Sequence, residues 1–299
     1  MSKILVTGAS GDLGRKTLRH LLKRRPPSDL VGLVRDPAKA ADLVSLGIEL
    51  RQSDYLDRAS LSRAFKGVEK LMLTATHAFT ERNTAHANVI DVAAESGVRH
   101  LVFMPIYRKQ SSTFTMKEIT AEDIFTVDRL RSSGLTYTLA EHPPFLDVLA
   151  FYVGKDAHEK GVRVPPGTGK FAAATRADLA EAHAAILTGA GHENRTYTLT
   201  GDPAISFADI AKILSQIHKR DVPYVPISEG EYAEQIKLAT GIPDVVVEFV
   251  CKWVKGMNAG EWQDQTKDLE TLIGHKPTTA LEFFRDDYLD PKSRVTSIE

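Results

Sequence analysis

A single cysteine, Cys251, occurs in the 299-residue chain. A lone thiol closes no internal disulfide and has no second thiolate for a cysteine zinc site, which fits a reducing compartment. Charge of one sign is not in excess either: 38 Lys and Arg stand against 39 Asp and Glu. Without a broad positive field, neither nucleic acid nor an anionic membrane is an expected partner. Long apolar runs are missing, and none approaches the roughly 20 residues needed to cross a bilayer. The opening Met1-Ser2-Lys3-Ile4-Leu5-Val6 passes into a strand without the apolar stretch of an export signal. These absences lead to the expectation of a cytoplasmic protein with no membrane partner. Internal repeats and low-complexity segments are absent as well, and no metal site is expected.

What the chain does have is alternation. Short β-branched or leucine-rich runs recur at Ile4 to Val6, Leu30 to Val34, Ile48 to Arg51, Leu71 to Thr74, Leu101 to Phe103 and Thr136 to Leu139. Helical patterns lie between them. In the first, Leu13, Thr17, Leu18, Leu21 and Leu22 line one face before Arg24-Arg25-Pro26-Pro27 ends it. Later helices stop at Ser96-Gly97 and Ser133-Gly134, where glycine suits the left-handed residue beyond a helix end. Such alternation predicts an α/β fold with a doubly wound parallel sheet of six strands.

At His142-Pro143-Pro144 the rhythm breaks, because consecutive prolines continue neither a helix nor a central strand. Two regions follow from this: 1–142 as the sheet domain, and 143–299 as a smaller α/β lobe, with some of its strands and helices contributing back to the main domain. The lobe is predicted to hold a glycine-rich turn at Pro165 to Gly169, a helix from Arg176 to Leu187, a short strand at Thr196 to Leu199 and a helix opened by Ser206. Ser228 and Glu231 have capping-box spacing. Thr278 with Glu282 suggests a last helix before a frayed polar tail, Asp290 to Glu299.

The chemistry is concentrated in Thr7-Gly8-Ala9-Ser10-Gly11-Asp12-Leu13-Gly14, directly after the first strand and at the opening of the first helix. One glycine permits a tight turn, the next lets the backbone approach a pyrophosphate, and the third lets helix and sheet pack closely. The free amides of the helix start then face the phosphates. This is the phosphate turn of a Rossmann domain. Gly11 is also expected to need an unusual backbone conformation. Arg35 follows the second strand, where guanidinium accommodates a 2′-phosphate and an acidic residue would grip the ribose, so NADP(H) is expected over NAD(H). The competing role for Arg35 is a solvated residue beside a helix cap at Asp36. Asp54 and Tyr55, past the third strand, are candidates for the adenine edge, with an Asx turn and a partly buried tyrosine as the alternative.

Taken together, Val6 to Gly14, Leu33-Val34-Arg35-Asp36-Pro37 and Ser53-Asp54-Tyr55 resemble the NmrA-like branch of atypical short-chain dehydrogenases. The likeness continues through Leu130 to Thr138 and Gly191 to Leu199 and covers nearly the whole chain. The Gly191-His192-Glu193-Asn194 turn and the segment Asp268 to Gly274 make it similar to the NAD(P)H quinone oxidoreductase and triphenylmethane reductase group. The resemblance implies NADP(H) and a lobe closing over an aromatic or quinonoid small molecule, in a monomer or homodimer. It carries phosphate binding to Gly8, Ala9, Ser10, Gly11, Asp12, Leu13 and Gly14, and the ribose phosphate to Arg35. Thr74, Ala75, Thr76 and His77 fall near the nicotinamide ribose. Met104 and Pro105, and His142, Pro143, Pro144 and Phe145, flank the nicotinamide and acceptor.

The chain departs from the short-chain dehydrogenase pattern in its proton relay. Tyr107 is followed four residues later by Ser111 and Tyr137 by Glu141, so neither heads a tyrosine and lysine pair. Asp123 stands where many relatives carry lysine or histidine. Candidate proton donors are Tyr107, His77 and His142, each of which also reads as an ordinary amphipathic loop residue. Lys109 and Lys117 are expected to be solvated, and Cys251 to pack in an apolar stretch rather than act as a nucleophile. Trp253, Trp262, Phe283 and Phe284 are candidates to line an aromatic-substrate pocket, with packing in the core or lid as the favoured role. The reaction expected is hydride transfer from NAD(P)H to a quinone, dye or other aromatic or carbonyl acceptor. The competing reading is an NADP-binding redox sensor that turns nothing over.

Overall fold

A computed structural model describes residues 2–286 and 288. Strands β1 (Lys3–Val6), β2 (Leu30–Val34), β3 (Glu49–Gln52), β4 (Val68–Leu73), β5 (His100–Phe103) and β6 (Thr136–Glu141) alternate with helices α1 (Asp12–Leu21), α2 (Ala41–Ser45), α3 (Arg58–Ala64), α4 (Arg82–Glu95) and α5 (Glu122–Arg131). Beyond them the chain forms α6 (Leu149–Val153), α7 (Ala157–Lys160), β7 (Val162–Val164), α8 (Arg176–Thr188), β8 (Arg195–Thr198), α9 (Phe207–His218) and β9 (Tyr224–Pro226). It ends in α10 (Glu229–Thr240), α11 (Asp244–Asn258), α12 (Asp268–Ile273) and α13 (Ala280–Asp286).

One parallel sheet runs in the order β3-β2-β1-β4-β5-β6-β8, and β7 pairs with β9 in a second, two-stranded sheet. The main sheet therefore has seven strands rather than the six expected. The strand expected within the second region, Thr196 to Leu199, begins one residue earlier and lies against β6, with Glu141 opposite Thr198. Its pairing covers the backbone groups that β6 would otherwise leave open at the edge. The expected strand three starts at Glu49 and the last helix is capped by Thr279, not Thr278. Thr279 accepts from Glu282 N at 3.2 Å, whereas Thr278 donates from N to Asp178 Oδ2 at 2.9 Å and so ties this segment to α8. The polar tail expected at Asp290 to Glu299 lies outside the described residues.

Side chains alternate across the sheet, and each face has its own apolar layer. Val6, Met72, Val102 and Ala140 face one layer, with Leu18 and Leu21 of α1 and Leu179, Ala182 and Ile186 of α8. Leu5, Leu71, Leu101 and Leu139 face the other, with Leu61, Val89, Ile90 and Leu130. Each fully buried leucine is worth roughly 1.5–3 kcal/mol, so the α1–α8 cover is a principal stabilising layer. A third cluster, including Leu149, Val153, Ile210, Val250, Val254, Trp253, Trp262, Phe283 and Phe284, lies among α6, α9, α11 and α13. Cys251 packs half-buried against it, and burial raises its thiol pKa.

Strand order reverses between β1 and β4, the position at which an open parallel sheet forms its ligand crevice. Among the described residues no helix is long and apolar enough to cross a membrane, and no group of three or more metal-ligating side chains is present.

Candidate active site

The turn after β1 is shaped by close backbone contacts. Gly8 has φ +62°, and a Cβ on Gly14 would lie 2.5 Å from Gly8 O. Only glycine fits both demands without displacing main chain. Gly11 is different: its φ of −81° and ψ of 168° are ordinary extended values, which corrects the expectation of an unusual conformation there. A Cβ on Gly11 would meet only Gly8 O, at 3.3 Å, and would otherwise point into open space. Gly11 is the N-cap of α1 and supplies no capping side chain, while the first bond inside the helix runs from Arg15 N to Gly11 O. The first amides of α1 thus face outward, as an anion requires. This cradle fits a dinucleotide pyrophosphate.

Thr7 joins the turn to β4 across the switch point. Its Oγ1 accepts from Thr74 N at 2.9 Å, and its carbonyl accepts from Thr74 Oγ1 at 2.8 Å. Tyr55, reaching over from β3, donates to Thr74 O at 3.3 Å. Beyond Thr74, Thr76 is held through both its peptide groups by α4: N–H donates to His86 Nε2 at 3.1 Å and the carbonyl accepts from Arg82. His77 is exposed on the same loop, and Phe79 follows with φ +64° and its ring 5.4 Å from Phe249 of α11.

The β5 and β6 ends continue side by side past the sheet. Tyr107 N donates to His142 O at 2.9 Å and His142 N to Pro105 O at 3.1 Å. Met104, Pro105, His142, Pro143 and Pro144 are buried there. His142 stacks on Phe145 with ring centroids 4.6 Å apart, and its Nδ1 meets Pro143 O at 2.8 Å. Burial lowers its pKa to about 4. Tyr107 donates its hydroxyl hydrogen to Asp264 Oδ2 at 2.6 Å, and burial together with this carboxylate raises its pKa. Lys109 is not the solvated residue expected: its Nζ donates to Gly260 O at 2.6 Å, and Trp262 Nε1 donates to Tyr107 O at 3.0 Å. The loop after β5 is thereby fastened to the segment that follows α11. Lys117 is exposed, as expected.

At the other end of the edge, Arg35 is exposed after β2 and, among the described residues, pairs with no carboxylate. Asp36 accepts from Ala38 N at 3.0 Å and caps the following turn. Asp54 is exposed and accepts from Leu56 N at 2.8 Å, an Asx turn. All the sequence-derived candidates lie beyond the carboxyl ends of strands β1 to β6. Leu13 and Met104 contribute apolar core there rather than an exposed polar surface.

Sequence reasoning missed two groups. Arg176, first residue of α8, places its guanidinium carbon 4.6 Å from the Phe145 ring centroid and a guanidinium nitrogen 3.9 Å from Asp12 Oδ2. A cation is thus brought between the phosphate turn and the β6 loop. Its position at a helix start was visible, but its proximity to Asp12 was not. Glu141, the last residue of β6, has a pKa raised to about 7 by burial, with Asp123 adding to the shift and Arg131 opposing it.

Comparison with known proteins agrees with this geometry. A family model described as NAD(P)H-binding matches residues 8–190. Quinone oxidoreductase 2 of Escherichia coli (strain K12) is 37% identical over 281 residues, 93% of this chain and 96% of the relative. The crystal structure of an Escherichia coli NADPH-dependent quinone oxidoreductase complexed with NADPH superimposes with a TM-score of 0.86 at 36% identity, covering 93% of this chain and 97% of that one. Triphenylmethane reductase of Citrobacter sp., solved with NADP(H), gives a TM-score of 0.85 at 29% identity, covering 94% and 98%.

Proposed function

This chain belongs to the NAD(P)H-binding NmrA-like family, and from that premise we propose that it is an NADPH-dependent oxidoreductase that reduces a quinone, a cationic dye or a related aromatic acceptor. The observation that carries the reading is the glycine cradle at the β1/β4 reversal, with outward amides at α1 and an unpaired Arg35 next to it. In this reading residues 1–142 hold the cofactor and 143–299 supply the lid lobe, returning α8, β8 and α12 to the main sheet.

Bound NADPH supplies the hydride, so the protein's task is alignment and exclusion of water. Gly8, Ala9, Ser10, Gly11, Asp12, Leu13 and Gly14 shape the pyrophosphate cradle, and Arg176 adds a cation beside it. Arg35 takes the 2′-phosphate, while Asp54 and Tyr55 border the adenine. Thr74, Ala75 and Thr76 meet the nicotinamide ribose; Met104, Pro105 and His142 to Phe145 flank the ring. No side chain is required as an obligatory acid. Tyr107 has its hydrogen engaged by Asp264, and His142, with its pKa near 4, stays neutral at neutral pH. His77 remains at the rim. Quinones and cationic dyes accept hydride with little protonation in the transition state, which agrees with such a site.

Steady consumption of NADPH, measured with a panel of quinones, triphenylmethane dyes and aromatic carbonyls, tests the proposal. Turnover with the quinones or dyes, faster with NADPH than NADH, is expected. Tight NADPH binding without turnover on any acceptor would replace it with a sensor.

A further inference from the structure

Two loops leave the sheet at the nicotinamide edge, one from β4 at residues 74–77 and one from β5 at residues 104–107. Both are tied to a buried polar bridge between α4 and α5. Arg82 is 3% exposed and Asp123 is 4% exposed. One guanidinium nitrogen of Arg82 donates to Thr76 O and another to Asp123 Oδ1, while Asp123 Oδ2 accepts from Ile106 N at 2.8 Å. A chain of three contacts thus joins the β4 loop to the β5 loop.

A second strand of the bridge lies one turn along. His86, fully buried, accepts the Thr76 N–H at Nε2 and meets Thr126 Oγ1 with Nδ1 at 2.9 Å. Since Nε2 accepts, the ring hydrogen sits on Nδ1 and is donated to Thr126, whose hydroxyl donates in turn to Glu122 O at 2.8 Å. The spacing of Arg82 with His86, and of Asp123 with Thr126, presents each pair on one helix face. Apolar packing of Val89 and Leu130 in the same layer already joins these elements, and a buried ion pair is a weak source of net stability. The bridge does fix both peptide groups of Thr76 and the amide of Ile106 in one frame.

We propose that Arg82, His86, Asp123 and Thr126 form a positioning unit that holds the β4 and β5 loops in register and so sets the distance over which hydride passes to the acceptor. The inference rests on the reading of these loops as the nicotinamide edge. None of the four is a catalytic residue; they act through Thr76 and Ile106.

The full chain and its Asp123→Asn, Arg82→Gln, Asp123→Asn/Arg82→Gln, Thr126→Val and Thr126→Ser variants are compared by NADPH fluorescence titration and by single-turnover hydride transfer to a benzoquinone. Misplacement of reacting groups predicts a loss of about 10- to 100-fold in the hydride step at saturating NADPH, with NADPH affinity changed by less than about threefold. The double variant should be no slower than Asp123→Asn alone, since both remove one bridge. Removing one member of a buried pair can unfold the chain, so the Thr126 variants provide the second arm. Thr126→Val should slow transfer and Thr126→Ser restore it. Unchanged hydride transfer in the folded variants overturns the inference, as does a loss of affinity equal to the loss of rate. A wild-type chain that fails to bind NADPH overturns the reading of the site and the inference with it; binding and turnover that are indifferent to all five variants overturn the inference alone.

Discussion

Tyr107 donates its phenolic hydrogen to Asp264 Oδ2 at 2.6 Å, across 157 positions of the chain. A hydroxyl engaged in this way secures a loop to the lobe, and it is poorly placed to give its proton to an acceptor. General acid catalysis is typically worth about 10²–10⁴ in rate, so Tyr107→Phe with a quinone should lose less than about tenfold in the hydride step. A thousandfold loss in the folded, NADPH-binding variant would make Tyr107 the donor.

The glycines of the phosphate turn should separate folding from binding. Gly14→Ala forces a Cβ to 2.5 Å from Gly8 O and must move main chain. Gly11→Val meets no such obstacle; its side chain points toward the volume that pyrophosphate needs. Thermal unfolding should therefore fall clearly for Gly14→Ala and little for Gly11→Val, while fluorescence titration should find NADPH binding abolished in Gly11→Val. Wild-type affinity in that variant removes the turn from the cofactor site.

Arg35 should govern the choice between cofactors. A charge-assisted contact to the 2′-phosphate is worth about 1.5–3 kcal/mol, or roughly one to two orders of magnitude in affinity. Arg35→Ala is expected to weaken NADPH by that factor and leave NADH nearly unchanged, without a shift in melting temperature. Equal losses for both cofactors would count against the assignment.

Acidification should destabilise the fold through neutral buried histidines. Burial lowers His100 and His142 to about 4 and His183 to about 3, against an ordinary value of 6.5. As pH falls through 6.5, the unfolded chain takes up these protons first, so stability complete above that pH is lost toward the folded values. Each such histidine contributes a slope of about 1.4 kcal/mol per pH unit in that window. Glu141, raised to about 7, works in the opposite sense, since its folded carboxyl holds a proton that the unfolded one releases. Both ring nitrogens of His183 lack a partner among the described residues. His183→Leu should flatten the acid slope, seen as urea midpoints at about pH 7.5 and about pH 5, and raise stability by about 1–3 kcal/mol. An unchanged slope would show that His183 does not titrate as its burial requires.

Local pattern made much of this legible. The turn from Thr7 to Gly14, the strand ends that carry Arg35, Thr74 and His142, and the glycine stops at Gly97 and Gly134 all depend on neighbours a few residues apart. What escaped the sequence depends on partners far apart. Arg195-Thr196-Tyr197-Thr198 is too polar to announce that it pairs with β6, and a charge such as Arg176, Asp123 or Lys109 carries no sign of which distant group it meets. Thr278 and Thr279 show the same limit locally: both precede Glu282, and only geometry decides which hydroxyl caps the helix while the other turns to Asp178.

The cover of α1 by α8 gives the order of synthesis a role. A ribosome extends the chain at about 5–20 residues per second, so Leu18 and Leu21 emerge on the order of ten seconds before Arg176–Thr188 can shield them. Over that interval the nascent sheet has one greasy side open to other newly made chains. A stall between these two segments prolongs that exposure, and the layer closes fully only when Leu269 and Ile273 of α12 have joined it.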